Sequence, residues 1–305
     1  MNTLIAEPDA FPRQALDRLA ALGSVFLGPD AADASTQAAF VRLSVVDAAF
    51  HRRFPALRWI VSPTTGLNHI DVDYFARAGV QVLSLRGRTE FLRTIHATAE
   101  HTLALTLALI RKLPAATAAV SQGVWDRYPH KGRELFGKTV LILGYGRIGS
   151  LVAPLYSAFG CRVLAVDRTD DPIPPALRCD LHAALAEADV LTVHLPLDPS
   201  TTGFVDRAML ECLPARAVVI NTARGEIIDQ DALLSLIEGG RLAGAALDVL
   251  VNETAPFAGG LSDRLAALGD RALITPHIGG FTHESLDAVE NYMTQVFLDE
   301  VAAAH

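Results

Sequence analysis

The sequence predicts an α/β protein of two lobes, each a doubly wound parallel sheet. Three observations carry that expectation. Short apolar runs alternate with helical patterns through nearly the whole chain. A single Gly-, Pro- and charge-rich stretch, QGVWDRYPHKGRELFGK, reads as a connector between two such series. At 305 residues the chain is long enough for two domains.

In the first series TLIAE, SVFLG, AAFVRL, RWIVS and VQVLSL read as strands. Between them PRQALDRLAAL, VVDAAFHRRF and VDYFARAG read as helices or helical turns. A long helix is expected from about Thr94 to Leu113, closed by basic residues and a proline stop in RKLP. After the connector come KTVLILG, CRVLAVD, DVLTVHL, AVVINT, AGAALDV and ALITPH as strands. HESLDAVENYMTQVFLDEVAA reads as a terminal helix, free to fold back.

Half the residues are hydrophobic and 20% are charged, as in a globular protein with a sizeable core. A formal net charge of -8 leaves no basic excess to neutralise phosphates, which argues against nucleic-acid binding. Cys161, Cys179 and Cys212 form no C-x-x-C pair, so neither a disulfide framework nor a thiolate zinc site is expected. The N-terminus lacks a signal-peptide pattern, and HTLALTLALIRKLP is too short to span a bilayer. A cytoplasmic location without membrane partners is expected.

Gly144, Gly146 and Gly149 form G-x-G-x-x-G directly after an apolar strand and before a helical pattern. The first glycine permits a tight turn and the second admits a pyrophosphate to the backbone. The third lets helix and strand pack closely, with the helix N-terminus facing the phosphates. Asp167 ends the next strand, at the spacing of a ribose-binding acid. Its carboxylate favours NAD over NADP, although the adjacent Arg168 is suited to pairing with a 2′-phosphate.

Three ionisable residues follow the ends of later strands: Arg224 after AVVINTA, Glu253 after GAALDV and His277 after ALITP. Ligands of an open parallel sheet bind beyond the strands' carboxyl ends. Imidazole suits proton transfer near neutral pH, a carboxylate orients it, and arginine grips a substrate carboxylate. Together they specify a 2-hydroxy acid and 2-oxo acid pair. Taken singly, Arg224 is also readable as a loop cation, Glu253 as a solvated charge and His277 as a packed imidazole. No metal is expected, since His283 lies six positions beyond His277 and no H-x-x-x-H or H-E-x-x-H spacing occurs. His51, His69, His96, His101, His130, His182, His194 and His305 show no ligand pattern either.

The blocks ATAEHTLALTLAL, LGYGRIG, VHLPLDPSTTGFVD, NTARGEIIDQDAL, GAALDV and TPHIGG, in this order, resemble the D-isomer-specific 2-hydroxyacid dehydrogenases from about Arg58 onward. The resemblance implies Rossmann-like or flavodoxin-like lobes: a substrate lobe of residues 1–95 with 284–305 and an NAD-binding lobe of residues 96–283. It places the active site in the cleft between them and implies a homodimer. Arg224 matches the carboxylate-binding arginine, His277 the acid/base histidine and Glu253 its partner. Asp248 matches the residue near the nicotinamide amide, and Arg147 and Ile148 sit at the pyrophosphate. The same blocks put His194, Pro196, Thr201, Thr222, Ala223 and Gly280 at the cofactor.

The chain also departs from the family pattern. TTGLNHID carries Asn68 and His69 where Asp and Asn are usual, yet Thr65, Gly66 and Leu67 still offer a site for the substrate carboxylate. Thr254 replaces the usual proline after the glutamate. The lengthened SLRGRTEFLRTIHATAEHT carries Arg86, Arg88 and Arg93. These are suited to a second anionic group on the substrate, or form a solvated basic loop paired with Glu90. The expected function is hydride transfer between a nicotinamide and C2 of a small 2-hydroxy or 2-oxo acid. The alternative is an NAD(H)-sensing, corepressor-like binding protein of weak activity, against which the three filled catalytic positions argue.

Overall fold

A computed structural model describes residues 1–168, 173–253, 255, 257 and 260–304. Thr254 and His305 lie outside the described residues. The chain divides into two compact units, Met1–Ile95 with Phe281–His305 and His96–Gly280.

The first unit holds five strands: β1 (Thr3–Ile5), β2 (Val25–Leu27), β3 (Ala38–Phe40), β4 (Trp59–Ser62) and β5 (Gln81–Ser84). They pair in parallel in the order β2-β1-β3-β4-β5. All four residues of β4 (WIVS) are buried, as the interior of a parallel sheet covered on both faces requires. The His283–Ala303 helix supplies one cover. Its Phe297 meets Phe40 and Trp59 edge-on, its Met293 is fully buried, and its Tyr292 stacks on Phe91.

That helix also brings Glu290, 1% exposed, to Arg42, whose Nε lies 3.1 Å from Oε1. The other oxygen, Oε2, is buried without a partner among the described residues. Arg42 donates through Nη2 to the carbonyls of Glu7 and Asp9, each at 2.9 Å. Glu7 in turn accepts from the amides of Arg42, Leu43 and Ser44 and from the Ser44 hydroxyl. Burial, opposed by Arg42 and reinforced by Glu7, pushes the Glu290 carboxyl up to about 7.

The second unit holds β6 (Thr139–Leu143), β7 (Arg162–Val166), β8 (Val190–Val193), β9 (Val218–Asn221), β10 (Gly244–Leu247) and β11 (Ala272–Ile274). All are parallel in the order β11-β10-β9-β8-β6-β7, so the order reverses at β6. In an open sheet the crevice for a ligand lies at such a reversal. Several helices start on an aspartate whose side chain accepts from an amide of the first turn, at Asp180, Asp206 and Asp229. That local chemistry fixes where each crossover turns into helix.

The helix expected from about Thr94 to Leu113 is differently divided. A short turn covers Thr89–Leu92, the main helix Ala97–Ile110, and a further helix Leu113–Ser121 follows. Lys112 breaks the run by adopting a left-handed conformation (φ 54), and Pro114 sits in the first turn of the new helix. The proline therefore starts a helix instead of ending one, since its missing N–H would be unpaired in a first turn anyway. No single helix among the described residues is long and apolar enough to cross a membrane.

Candidate active site

The glycine turn is shaped by close approach. Gly144 takes φ +92, and a Cβ there would lie 2.7 Å from the His194 carbonyl oxygen. A Cβ on Gly149 would collide with the Gly144 carbonyl, which is how the helix seats against β6. Gly146 is different, because a Cβ there would meet nothing within 4 Å. Open space thus faces the N-terminus of the Arg147–Ala158 helix, which has no side-chain cap. Arg147 Nη1 is buried there without a partner among the described residues, and burial pushes its guanidinium below the ordinary arginine value. An uncapped helix end, an orphaned guanidinium donor and a backbone cleared of side chains fit a bound pyrophosphate. Ile148, next in the same turn, is partly buried and packs against the core.

Asp167 stands at the end of β7 and is tied into the turn. Its Oδ2 accepts from the Tyr145 amide and its Oδ1 from the Arg168 amide, both at 2.7 Å. Each carboxylate oxygen retains acceptor capacity for a ribose hydroxyl. Among the described residues the Arg168 guanidinium pairs with a carboxylate, that of Asp198, at 3.8 Å.

Around β8 and β9 several expected cofactor residues serve their own loops. The Thr201 hydroxyl donates to the Pro196 carbonyl at 2.6 Å and accepts from the Asp198 amide at 2.9 Å. Thr222 is buried and bonds Thr102 of the Ala97–Ile110 helix at 2.9 Å. His194 bonds Thr192 at 2.9 Å, and burial pushes it down to about 3, which keeps the imidazole neutral near pH 7. Asn221, which no motif marked as functional, accepts from the Ala223 amide and donates to the Arg224 carbonyl. It thereby brackets the loop that presents Arg224.

The Arg224 guanidinium bonds the Ala223 carbonyl, at 2.6 Å, and has no carboxylate partner among the described residues. Gly225 behind it packs so tightly on the Leu250–Val251 backbone that a Cβ would collide. This contact sets the Arg224 loop against the loop carrying Glu253. Glu253 and His277 meet directly, with Nδ1 of His277 2.7 Å from Oε2. The other carboxylate oxygen, Oε1, accepts from the Leu250 amide at 3.3 Å. Because a carboxylate accepts, the proton of that bond sits on Nδ1, which leaves Nε2 as the acceptor nitrogen of the neutral ring.

His277 itself has φ 54, a left-handed conformation uncommon for a residue with a side chain. Its amide donates to the carbonyls of Asp248 and Thr275. Asp248, 2% exposed, anchors the same loop with its carboxylate. Oδ1 accepts from the Thr275 hydroxyl at 2.6 Å, the Ile278 amide at 2.9 Å and His101 Nε2 at 3.2 Å. Oδ2 accepts from the Gly279 amide at 2.7 Å, while Gly280 is exposed. Burial would raise the Asp248 carboxyl, but these hydrogen bonds hold it below the ordinary range. His101 and Thr275 were not candidates from the sequence; their only signal was membership of the AEH and TPH blocks.

The first unit carries the other expected residues. After β4, the Thr64 hydroxyl donates to the Gly66 carbonyl at 2.7 Å. The amides of Thr65, Gly66 and Leu67 have no acceptor among the described residues. The Leu85 amide, donating to the Thr64 carbonyl at 3.1 Å, sets the following loop with Arg86 and Arg88 beside them. Neither arginine has an ion-pair partner among the described residues, whereas Arg93 pairs with Glu90 at 3.1 Å. No group of three potential metal ligands occurs among the described residues.

Residues 103–279 match the family model described as "D-isomer specific 2-hydroxyacid dehydrogenase, NAD binding domain". A D-3-phosphoglycerate dehydrogenase of Mycobacterium bovis is 37% identical over 270 residues, covering 85% of this chain and 49% of its own length. The chain thus spans about half the length of that relative. A hydroxypyruvate reductase of Thermotoga maritima is 34% identical over 233 residues, 75% of this chain and 72% of its own. A solved structure from Thermus thermophilus superposes with a TM-score of 0.82 at 31% identity, covering 96% of this chain and 94% of that one.

Proposed function

Because the chain belongs to the D-isomer-specific 2-hydroxyacid dehydrogenase family, we propose that it is an NAD-dependent oxidoreductase acting at C2 of a small 2-hydroxy or 2-oxo acid. The observation that carries this reading is the 2.7 Å His277–Glu253 pair, beside a loop presenting an arginine without a carboxylate partner among the described residues. A bound nicotinamide supplies the hydride acceptor or donor. In oxidation, neutral His277 takes the hydroxyl proton on Nε2; in reduction, its imidazolium returns that proton to the forming alkoxide. Glu253 holds the ring by Nδ1 and offsets the charge it gains. Arg224 grips the substrate carboxylate and polarises the neighbouring carbonyl. Asp167 accepts from the ribose hydroxyls, which favours NAD over NADP.

The free amides of Thr65, Gly66 and Leu67 support a role in carboxylate binding. Arg86 and Arg88 support a substrate bearing a second anionic group, as a phosphorylated acid does. A cytoplasmic homodimer completes the reading. Its support is a run of exposed apolar side chains beyond the Ala97–Ile110 helix, with Trp125 90%, Tyr128 84% and Phe136 76% exposed.

The test is NADH and NADPH oxidation with glyoxylate, hydroxypyruvate, pyruvate and phosphohydroxypyruvate. His277→Ala is expected to lower kcat by about a hundredfold or more. Arg86→Ala and Arg88→Ala should raise KM for the phosphorylated acid alone. An absence of turnover with every oxo acid, beside tight NADH binding, would overturn the enzymatic reading.

A further inference from the structure

We infer that His101 is a positioning residue for proton transfer, acting on His277 through Asp248. The inference rests on the proposed role of His277 as the acid/base group, and on a network that the proposed chemistry does not itself require.

Two features of the loop from Thr275 to Gly279 need explaining. His277 holds a left-handed backbone, a conformation unfavourable for a residue with a Cβ. The loop also lies at the end of β11, an edge strand with a neighbour on one side only. Its geometry therefore depends on what grips it from the β10 side, and that grip is Asp248. The Asp248 carbonyl accepts from His277 N at 2.8 Å, and its carboxylate takes Thr275, Ile278 and Gly279. Gly279 is pressed so close that a Cβ there would lie 2.8 Å from Asp248 Oδ2. A single side chain thus holds the loop on both sides of the acid/base histidine.

The carboxylate of Asp248 is buried and held below its ordinary range, so it is an anion inside the unit. Among the described residues neither lysine nor arginine reaches it. The ionisable group that does is His101, from the first turns of the Ala97–Ile110 helix and 147 positions away in sequence. Its Nε2 lies 3.2 Å from Asp248 Oδ1 and 3.1 Å from Thr275 Oγ1, so one nitrogen meets both members of the clamp. Since Thr275 already donates to Asp248, its oxygen is left as an acceptor, and an Nε2–H proton is shared between the two. The His101 side chain is 17% exposed and is carried by a helix packed on β9, β10 and β11. The helix is thus the fixed frame from which the clamp is oriented.

The experiment compares His101→Gln with His101→Asn. A glutamine amide reaches about where histidine Nε2 does and can donate to the same two oxygens; asparagine is too short. Both are polar, uncharged amides that differ by one methylene, so the loss of the imidazole is common to the pair and folding is controlled within it. With a 2-oxo acid turned over by the wild type, His101→Asn should lose about ten- to a hundredfold in kcat. Its KM for the acid should change less than threefold, because Arg224 is untouched. His101→Gln should recover most of the loss. In the protein without cofactor or substrate, the ¹⁵N-edited imidazole signals of His277 should show its Nδ1–H bond to Glu253 broadened or shifted in His101→Asn and wild-type-like in His101→Gln. Equal kcat values for the two variants, or an unchanged His277 signal in His101→Asn, would overturn the inference. If the wild type turns over none of the acids, the functional reading fails, and the His277 signal still decides the positioning role.

Discussion

Replacing Glu290 with glutamine should stabilise the protein, and only above the acid range. Glu290 lies on the His283–Ala303 helix, 1% exposed, against Arg42. Its carboxyl is pushed from an ordinary 4.5 up to about 7, so the folded state favours the protonated form more strongly than the unfolded chain does. Stability contributed by the neutral acid is fully present below pH 4.5 and is lost as pH rises through about 7. Across that window the loss amounts to about 3 kcal/mol. Glutamine keeps the shape, cannot ionise, and leaves Arg42 its bonds to the Glu7 and Asp9 carbonyls. Urea unfolding, followed by the fluorescence of buried Trp59 with the exposed Trp125 replaced by phenylalanine, reads the first unit. At pH 8 Glu290→Gln should exceed the parent by about 2–3 kcal/mol, and at pH 5 by less than about 1 kcal/mol. An equal difference at both pH values, or a less stable variant at pH 8, would refute the reasoning.

Other consequences are read at the active-site strands. Glu253→Gln keeps an acceptor for His277 Nδ1 but removes the charge that offsets an imidazolium; kcat should fall about ten- to a hundredfold, with NADH affinity by fluorescence titration unchanged. Gly225→Ala drives a methyl into the Leu250–Val251 backbone. It should cost about 2 kcal/mol or more in thermal or urea unfolding and raise KM for the oxo acid by separating the Arg224 and Glu253 loops. Asp167→Ala removes acceptors for both the ribose and the Tyr145 amide. The ratio of NADH to NADPH turnover should drop at least tenfold, and an unchanged ratio would rule out the ribose assignment.

Much of this architecture was legible because it is local. Each expected strand forms at its apolar run, since β-branched runs such as VVIN and TVLIL are buried on both faces of a parallel sheet. The glycine spacing was informative for the same reason, as the turn, the helix start and Asp167 are all within one βαβ unit. What the sequence concealed depends on long-range placement or on a single backbone choice. Lys112 breaks the expected helix through one left-handed residue, and composition does not announce that. Asn221 looked like the end of a strand, yet its side chain shapes the Arg224 loop. His101 seemed anonymous because its partner lies 147 positions on and the pair matches no short spacing.

The interleaving of the two units also has a consequence for synthesis. The His96–Gly280 unit is continuous in sequence and can close as soon as it has left the ribosome. The other unit waits for Phe297 and Met293, which complete the core begun by Phe40 and Trp59. At ordinary elongation rates the interval between the two halves is about 10–40 s. During that time the first sheet presents an apolar face only partly covered by the Arg13–Ala20 helix. Holding chaperones have their natural window on this chain there, after residue 95 and before the last helix.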